Sequence, residues 1–157
     1  MILYHASKET VEFPEIRKTR YTKDFSWGFY CTANLRQAIR WANRGTGILI
    51  INYYAFEPVP GLSILKFDHM TDEWLDFIAA CRNGQTHSYD IVEGPMADDT
   101  IWNYVNDFLS GTISRKQFWV LAEFRYPTHQ ISFHTLSALN CLTFDRSETI
   151  YDQTRKK

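Results

Sequence analysis

The sequence has 157 residues and a formal net charge of −1, which limits the classes of protein that it can encode. A chain of this length can bury one substantial hydrophobic core, so we expect a single domain over residues 1–157. Because the charges nearly cancel, no overall field draws the chain to nucleic acid or to an anionic membrane surface. No apolar run reaches the roughly 18 residues of a membrane span, and no membrane partner is expected.

The three cysteines, Cys31, Cys81 and Cys141, are widely spaced and include no Cys-x-x-Cys pair. This pattern argues against a disulfide framework and against a thiolate zinc site. His129 and His134 lack the spacing of helical metal ligands, so no metal site is expected. The N-terminal segment lacks a secretory pattern, and together these features favour a cytoplasmic location.

The first predicted elements lie on either side of an irregular, charged loop. A first strand over residues 2–4 ends at His5, and a short strand is expected around Ile16. A second strand over residues 28–32 is followed by a helix that is capped by Asn34 and ends at Gly45. The histidine therefore lies at the exit of the first strand.

The rest of the chain alternates β-branched and aromatic runs with amphipathic stretches. Thr71 and Asp98 are the expected caps of two helices. The patterns predict strands over residues 47–56, 63–67, 89–95, 130–133 and 141–144, and helices over residues 71–81, 98–111, 114–124 and 135–140. Because strands and helices do not alternate strictly, we expect an α+β fold with a mainly antiparallel, split β-sheet flanked by helices.

Several functional classes lack their sequence signatures in this chain. There is no glycine fingerprint of a Rossmann or P-loop nucleotide site. There is also no Gly-x-Ser-x-Gly segment of a serine hydrolase. Aromatic residues make up 16% of the chain, which is enough to supply a stacking pocket as well as a core.

Three ordered motifs resemble those of the ADP-ribosyltransferase superfamily. Tyr4-His5-Ala6-Ser7 resembles its first-strand histidine motif, commonly His-Gly-Ser or His-Gly-Thr, and Gly28-Phe29-Tyr30 resembles its Gly-Ile-Tyr strand. The interval from Tyr30 to Trp41 is similar to that between the ring-clamping aromatics of poly-ADP-ribose-polymerase-type members. The segments over residues 24–30, 37–42 and 89–95 resemble an uncharacterised bacterial family of this superfamily.

The resemblance implies a single ADP-ribosyltransferase-like domain that takes NAD as its substrate and uses no metal. By this resemblance, His5 bonds the adenine-side ribose hydroxyl, the Ala6 backbone binds the carboxamide, and Ser7 contacts the nucleotide. Tyr30 and Trp41 are expected to sandwich the nicotinamide, where stacking and cation–π energy favour a flat cationic ring.

The third motif departs from the family pattern. Cleavage of the nicotinamide–ribose bond passes through an oxocarbenium-like state, which related enzymes stabilise with a glutamate at the start of the last conserved strand. Gln130 stands there in this chain, and it can bond the ribose 2′-hydroxyl but carries no charge. A carboxylate could come instead from Glu93, Asp98 or Asp99.

The candidate catalytic residues are therefore Gln130, His5 and Glu93, and Arg17 in the charged loop would suit the pyrophosphate. Two further departures from the family pattern are Ala6 in place of glycine and Ala38 in place of serine.

Two functional hypotheses follow. The first is an NAD-dependent mono-ADP-ribosyltransferase-like enzyme that modifies a protein or nucleic-acid acceptor; family analogy adds a toxin role with an antitoxin partner. The second is a catalytically silent nucleotide-binding or protein-interaction module of the same fold, in which Gln130 marks lost chemistry. Simpler roles stay open for single residues: Trp41 in the core, Gln130 as an inert strand residue, and Asp98 with Asp99 as a helix cap.

Overall fold

Strands and helices follow one another irregularly along the chain in the computed structural model, which describes residues 1–19, 23–43, 47–122 and 128–150. In chain order the elements are β1 (Ile2–Ser7), β2 (Phe29–Cys31), α1 (Leu35–Asn43), β3 (Leu49–Phe56), β4 (Ile64–Lys66), α2 (Asp72–Arg82), β5 (Ile91–Gly94), α3 (Asp99–Leu109), α4 (Arg115–Ala122), β6 (Gln130–Phe133), α5 (Leu136–Leu139) and β7 (Leu142–Ile150).

The strands form two sheets. One has the order β1-β3-β7 and is antiparallel throughout. The other has the order β2-β6-β5-β4, with β4 and β5 parallel and the other pairs antiparallel. The predicted α+β domain with a mainly antiparallel, split sheet is confirmed at this level.

The two sheets pack against each other and helices cover their outer faces. Leu3, Tyr54 and Phe133 belong to the core between the sheets. α1 covers the outer face of the first sheet, where Ala38 packs with Ile51. Helices α2, α3 and α4 form a third apolar cluster against the second sheet. Strand β3 lies in the centre of its sheet with both faces covered, which explains its nearly continuous apolar sequence.

The predicted helix caps are confirmed. The side chain of Thr71 accepts a hydrogen bond from Trp74 N, and that of Asp98 accepts from Thr100 N and Ile101 N. Asn34 Oδ1 accepts from Gln37 N in the first turn of α1. Such caps satisfy backbone donors that have no partner within the helix. The expected helix ends at Gly45 and Phe124 lie outside the described residues.

The predicted strand bounds differ most from the structure in three places. The first strand continues to Ser7, so His5 pairs with Asn52 within β1 and does not lie at the strand exit. The strand expected around Ile16 is wrong, because residues 8–19 are irregular. The buried amide of Asn52 anchors this segment instead, accepting from Val11 N at 2.8 Å and donating to the Glu9 carbonyl at 3.3 Å. The last strand is longer than predicted and continues to Ile150.

A register shift explains why the sequence understates β7. Tyr54 is paired with Phe144 and Tyr53 with Arg146, so Asp145 is an extra residue that interrupts the alternation of apolar and polar side chains. Among the helices of the described residues, none combines the length and the apolar character that a bilayer crossing needs.

Candidate functional site

The candidate site lies where the two sheets separate. β1 and β2 are joined by one isolated bridge, in which Tyr4 N donates to the Thr32 carbonyl at 2.8 Å and Thr32 N donates to the Tyr4 carbonyl at 3.0 Å. The next residue of β1 is His5, and its Nδ1 lies 2.7 Å from the Tyr30 carbonyl. The His5 side chain therefore connects β1 to β2 at the point where the two backbones move apart.

A cavity of about 540 Å³ opens beside this link. This volume is within the usual range for small-molecule and cofactor sites. Its walls come from the second half of β1, from β2, from α1, from the starts of β3 and β6, from the C-terminal end of α2 and from the first turn of α3. The lining residues are His5, Ala6, Ser7, Lys8, Lys23, Asp24, Tyr30, Trp41, Ala42, Leu49, Arg82, Met96, Ala97, Trp102 and Gln130.

The imidazole of His5 is neutral at physiological pH. Burial lowers its pKa to about 4, an effect only partly offset by the hydrogen bond to Tyr30. A carbonyl oxygen can only accept, so Nδ1 carries the proton and Nε2 is left as an acceptor. Its ring also lies against that of Phe29, with centroids 4.3 Å apart.

Tyr30 is held rigidly at the cavity wall. Its hydroxyl donates to the Ser26 carbonyl at 2.6 Å and accepts from Phe25 N at 2.9 Å. Burial, reinforced by the nearby Asp24 charge, raises the pKa of this phenol well above its ordinary value. The Lys23 Nζ lies 4.8 Å from the centre of the Tyr30 ring. The ring is therefore fixed by the segment that precedes its own strand.

Gly28 allows β2 to approach β6 closely. A Cβ atom at this position would lie 2.8 Å from the Phe133 carbonyl oxygen and 2.8 Å from His134 Nδ1. His134 Nδ1 itself bonds the Trp27 carbonyl at 2.8 Å. Only glycine lacks the atom that would collide here, so the Gly28-Phe29-Tyr30 motif has a packing reason as well as a functional one.

Trp41 reaches the cavity from α1, and its indole is partly exposed. One turn earlier, the buried Gln37 amide binds the backbone of His129: Nε2 donates to the carbonyl at 2.6 Å and Oε1 accepts from N at 3.0 Å. This two-point contact fixes α1 relative to the residue before Gln130. Gln37 therefore sets where Trp41 lies with respect to β6.

Gln130 takes part in a buried polar network. Its Nε2 donates to Asp24 Oδ2 at 2.9 Å and, more weakly, to the Pro95 carbonyl at 3.4 Å. Asp24 Oδ2 also accepts from Ala97 N at 2.9 Å, and Asp24 Oδ1 accepts from Arg82 Nε at 2.9 Å and from Arg82 Nη2. The Asp24 and Arg82 side chains are 7% and 8% exposed, so this ion pair is shielded from water.

The cavity is electropositive. Lys8, Lys23 and Arg82 line it together with one carboxylate, Asp24, so three positive charges against one negative charge leave a formal +2 when His5 is neutral. A site of this charge attracts an anion such as a pyrophosphate.

The structure brings His5, Ala6, Ser7, Tyr30, Trp41 and Gln130 to one cavity, whereas two other predicted residues lie elsewhere. Arg17 belongs to a neighbouring groove and contacts Glu9 and Glu15. Glu93 is outside the lining because its Oε1 lies 2.8 Å from His129 Nε2, and this bond lowers the Glu93 pKa.

Of the two alternative carboxylates, Asp98 is not among the residues found to line the cavity. Asp98 caps α3 with its side chain, the simpler of its two predicted roles. The Asp99 side chain is outside the described residues.

Sequence reasoning missed nine of the fifteen lining residues, among them Asp24, Arg82 and Trp102. Asp24 lies in an irregular loop, where no periodicity marks a buried side chain. Arg82 ends a helix, where a cation is ordinary because it complements the helix dipole. Trp102 looked like one more apolar residue of α3. Only the fold shows that the Arg82 guanidinium lies between Asp24 and the Trp102 ring.

Fold and site together define a class: an α+β domain of two packed sheets with an electropositive, aromatic-walled cavity at the point where the sheets separate. The chain belongs to the family described as "Protein of unknown function (DUF3990)", whose model matches residues 1–144. No curated protein and no solved structure matches it.

Proposed function

We propose that this protein binds NAD in the cavity at the sheet junction and acts as an ADP-ribosyltransferase-like enzyme. In the proposed reaction the C1′–N bond of the nicotinamide riboside breaks, with its electron pair leaving on nicotinamide. An oxygen or nitrogen atom of a protein or nucleic-acid acceptor forms the new bond to C1′ and loses its proton. The observation that carries the proposal is that one cavity contains the residues of all three motifs, from β1, β2, α1 and β6.

The shape and charge of the cavity support a dinucleotide as the ligand. About 540 Å³ is room for a ligand of this class, and the formal charge of +2 matches the two negative charges of a pyrophosphate. Arg17 was predicted to bind the pyrophosphate but lies outside this cavity. In the proposal Lys8 and Lys23, which line the cavity, bind the phosphates instead.

The aromatic residues and the histidine supply the remaining recognition chemistry. In the proposed complex a nicotinamide ring stacks on Tyr30 and Trp41, a contact worth about 1 to 2 kcal/mol when it is desolvated. His5 Nε2 is an acceptor for a ribose hydroxyl, because Nδ1 is already bonded to Tyr30.

One observation favours a second function, a module that binds the nucleotide without turning it over. Gln130 has no charge of its own, and the nearest carboxylate, Asp24, already forms a buried ion pair with Arg82. The positive charge of an oxocarbenium-like state therefore gains little at this end of the cavity. Transfer would accordingly be slow if Gln130 is the only group in the glutamate position.

A thermal shift experiment tests the binding. Millimolar NAD is expected to raise the melting temperature of the wild type, and His5→Ala and Trp41→Ala are expected to remove the shift. Trp119→Ala is the matched control, because Trp119 packs on Phe118 in the α3–α4 region outside the cavity lining. No shift for the wild type would contradict both functions.

Turnover separates the enzyme from the binding module. The protein is incubated with labelled NAD and a cell extract, and both nicotinamide release and label transfer are measured. Transfer that depends on His5 supports the enzyme, and the labelled band identifies the acceptor. Binding without nicotinamide release supports the module.

A growth experiment tests the toxin role. Growth arrest on expression of the wild type, but not of His5→Ala, would support this role, and co-expression with a neighbouring gene product would test for an antitoxin.

A further inference from the structure

The Gln130 amide is oriented by its two neighbours. An amide has one donor end and one acceptor end, and both groups that meet its nitrogen, the Asp24 carboxylate and the Pro95 carbonyl, can only accept. The nitrogen must therefore face them. Among the described residues no hydrogen bond to Gln130 Oε1 is found, and Gln130 lines the cavity, so its oxygen remains as an acceptor at the cavity wall.

Asp24 is itself fixed as an acceptor on both oxygens. Oδ1 faces the Arg82 guanidinium, while Oδ2 faces Ala97 N and Gln130 Nε2. These donors surround a side chain that is buried, so neither oxygen can turn away without losing charge-assisted bonds. The network is therefore a rigid chain of hydrogen bonds that connects Arg82, at the end of α2, to Gln130 of β6 through Asp24.

We propose that Asp24 is a positioning residue that presents the Gln130 oxygen to a hydroxyl of the bound ribose, with the nicotinamide-ribose 2′-hydroxyl as donor. This inference rests on the proposed binding of NAD and adds a residue and a direction of hydrogen bonding to it. Asp24 holds the acceptor in place and touches no reacting atom. In this arrangement the correctly placed Gln130 oxygen supplies the hydrogen bond to the ribose that a glutamate would supply, but without the negative charge.

The proposal predicts a specific effect of Asp24→Asn. Asparagine has one oxygen, and the Arg82 guanidinium attracts it more strongly than the neutral donors do. The asparagine NH₂ group then faces Gln130, whose amide turns so that its oxygen points to residue 24 and its NH₂ group points to the cavity. The protein then presents a donor where the wild type presents an acceptor.

Two ligands read out this reversal by titration calorimetry: NAD and its 2′-deoxy-2′-fluoro analogue, whose fluorine cannot donate. The wild type is expected to bind NAD about fivefold more tightly than the analogue, the usual effect of one hydrogen bond. Asp24→Asn is expected to lower this ratio, because the 2′-hydroxyl can no longer donate to Gln130 and can only accept from its NH₂ group. A general loss of stability would weaken both ligands equally and leave the ratio unchanged.

Three further variants keep the test decisive. If Asp24→Asn does not fold, the pair Asp24→Leu with Arg82→Met removes both buried charges together and is also expected to lower the ratio, because the Gln130 amide loses its charged partner. Arg82→Lys retains a cation beside Asp24 and is expected to keep the wild-type ratio. Asp90→Asn is the matched control, because Asp90 caps Ser63 N and bonds Thr135 outside the cavity lining.

The outcomes distinguish the two proposals. If the wild type binds neither ligand, the proposed function is overturned and this inference with it. If the wild type binds NAD but does not prefer it to the analogue, or if the folded Asp24 variants keep the wild-type ratio in full, the positioning role is overturned while NAD binding stands.

Discussion

At the scale of single residues, hydrogen-bond partners decide which chemistry a side chain can offer. His5 Nε2 is an acceptor because the Tyr30 carbonyl takes the Nδ1 proton, and Gln130 Oε1 is an acceptor because Asp24 fixes the position of the amide nitrogen. The sequence predicted both residues but neither direction, since their partners lie 25 and 106 positions away along the chain.

The pH dependence of NAD binding follows from the state of His5. Burial lowers its pKa to about 4, so it stays neutral through the range where a free histidine titrates. We expect the dissociation constant for NAD to be flat from pH 8 to pH 6 and to rise as the pH approaches about 4, because the imidazolium has no acceptor. Calorimetric titrations at several pH values measure this. A transition centred near the ordinary value of 6.5 would contradict the neutral assignment.

Gly28→Ala tests the close approach of β2 and β6. The new methyl group would meet the Phe133 carbonyl and the His134 ring at 2.8 Å, so the strands must move apart. We expect the free energy of unfolding to fall by about 1 to 3 kcal/mol, as for other overpacked sites. Urea denaturation measures the change, with the exposed Ser137→Ala as the control. A loss below about 0.5 kcal/mol would mean that the contact relaxes freely.

At the scale of elements, local patterns predicted most strands and helices but not how they are held together. Thr71, Asp98 and the apolar stripe of α1 act within their own segments, where periodicity and capping carry the information. The Gln37–His129 contact spans 92 positions and connects a helix to a strand, so no local pattern reveals it. The bulge at Asp145 similarly depends on the partner strand.

Gln37→Leu tests the link between α1 and β6. The change removes two hydrogen bonds to His129 and leaves its half-buried backbone without these partners, so we expect a loss of about 2 to 3 kcal/mol in the free energy of unfolding. NAD affinity is expected to fall as well, because Trp41 and Gln130 are no longer held together. The exposed Gln85→Leu is the control. Unchanged NAD affinity in a folded Gln37→Leu variant would show that α1 is positioned by other contacts.

At the scale of the whole molecule, buried neutral histidines make stability depend on pH. Burial lowers the pKa values of both His5 and His134 to about 4, against an ordinary value of 6.5. Between these values the unfolded chain binds more protons than the folded one, so protonation favours unfolding. Burial of His5 and His134 in the folded protein therefore lowers its stability at acidic pH.

We therefore expect the free energy of unfolding to decrease steadily as the pH falls from 7 to 4. Urea denaturation at half-unit steps measures the slope. His134→Gln is expected to flatten it in part, since one of the two histidines no longer titrates. A stability that is constant over this range would contradict the burial of neutral imidazoles.

The outer edge of the first sheet has a consequence for association. β7 is its terminal strand among the described residues, and Asp145, Arg146 and Glu148 form ion pairs along it. A second molecule that added a strand to β7 would have to desolvate these three charged side chains and pair with a backbone that is bent at the Asp145 bulge. This border is therefore expected to resist fibril-like stacking even at high protein concentration.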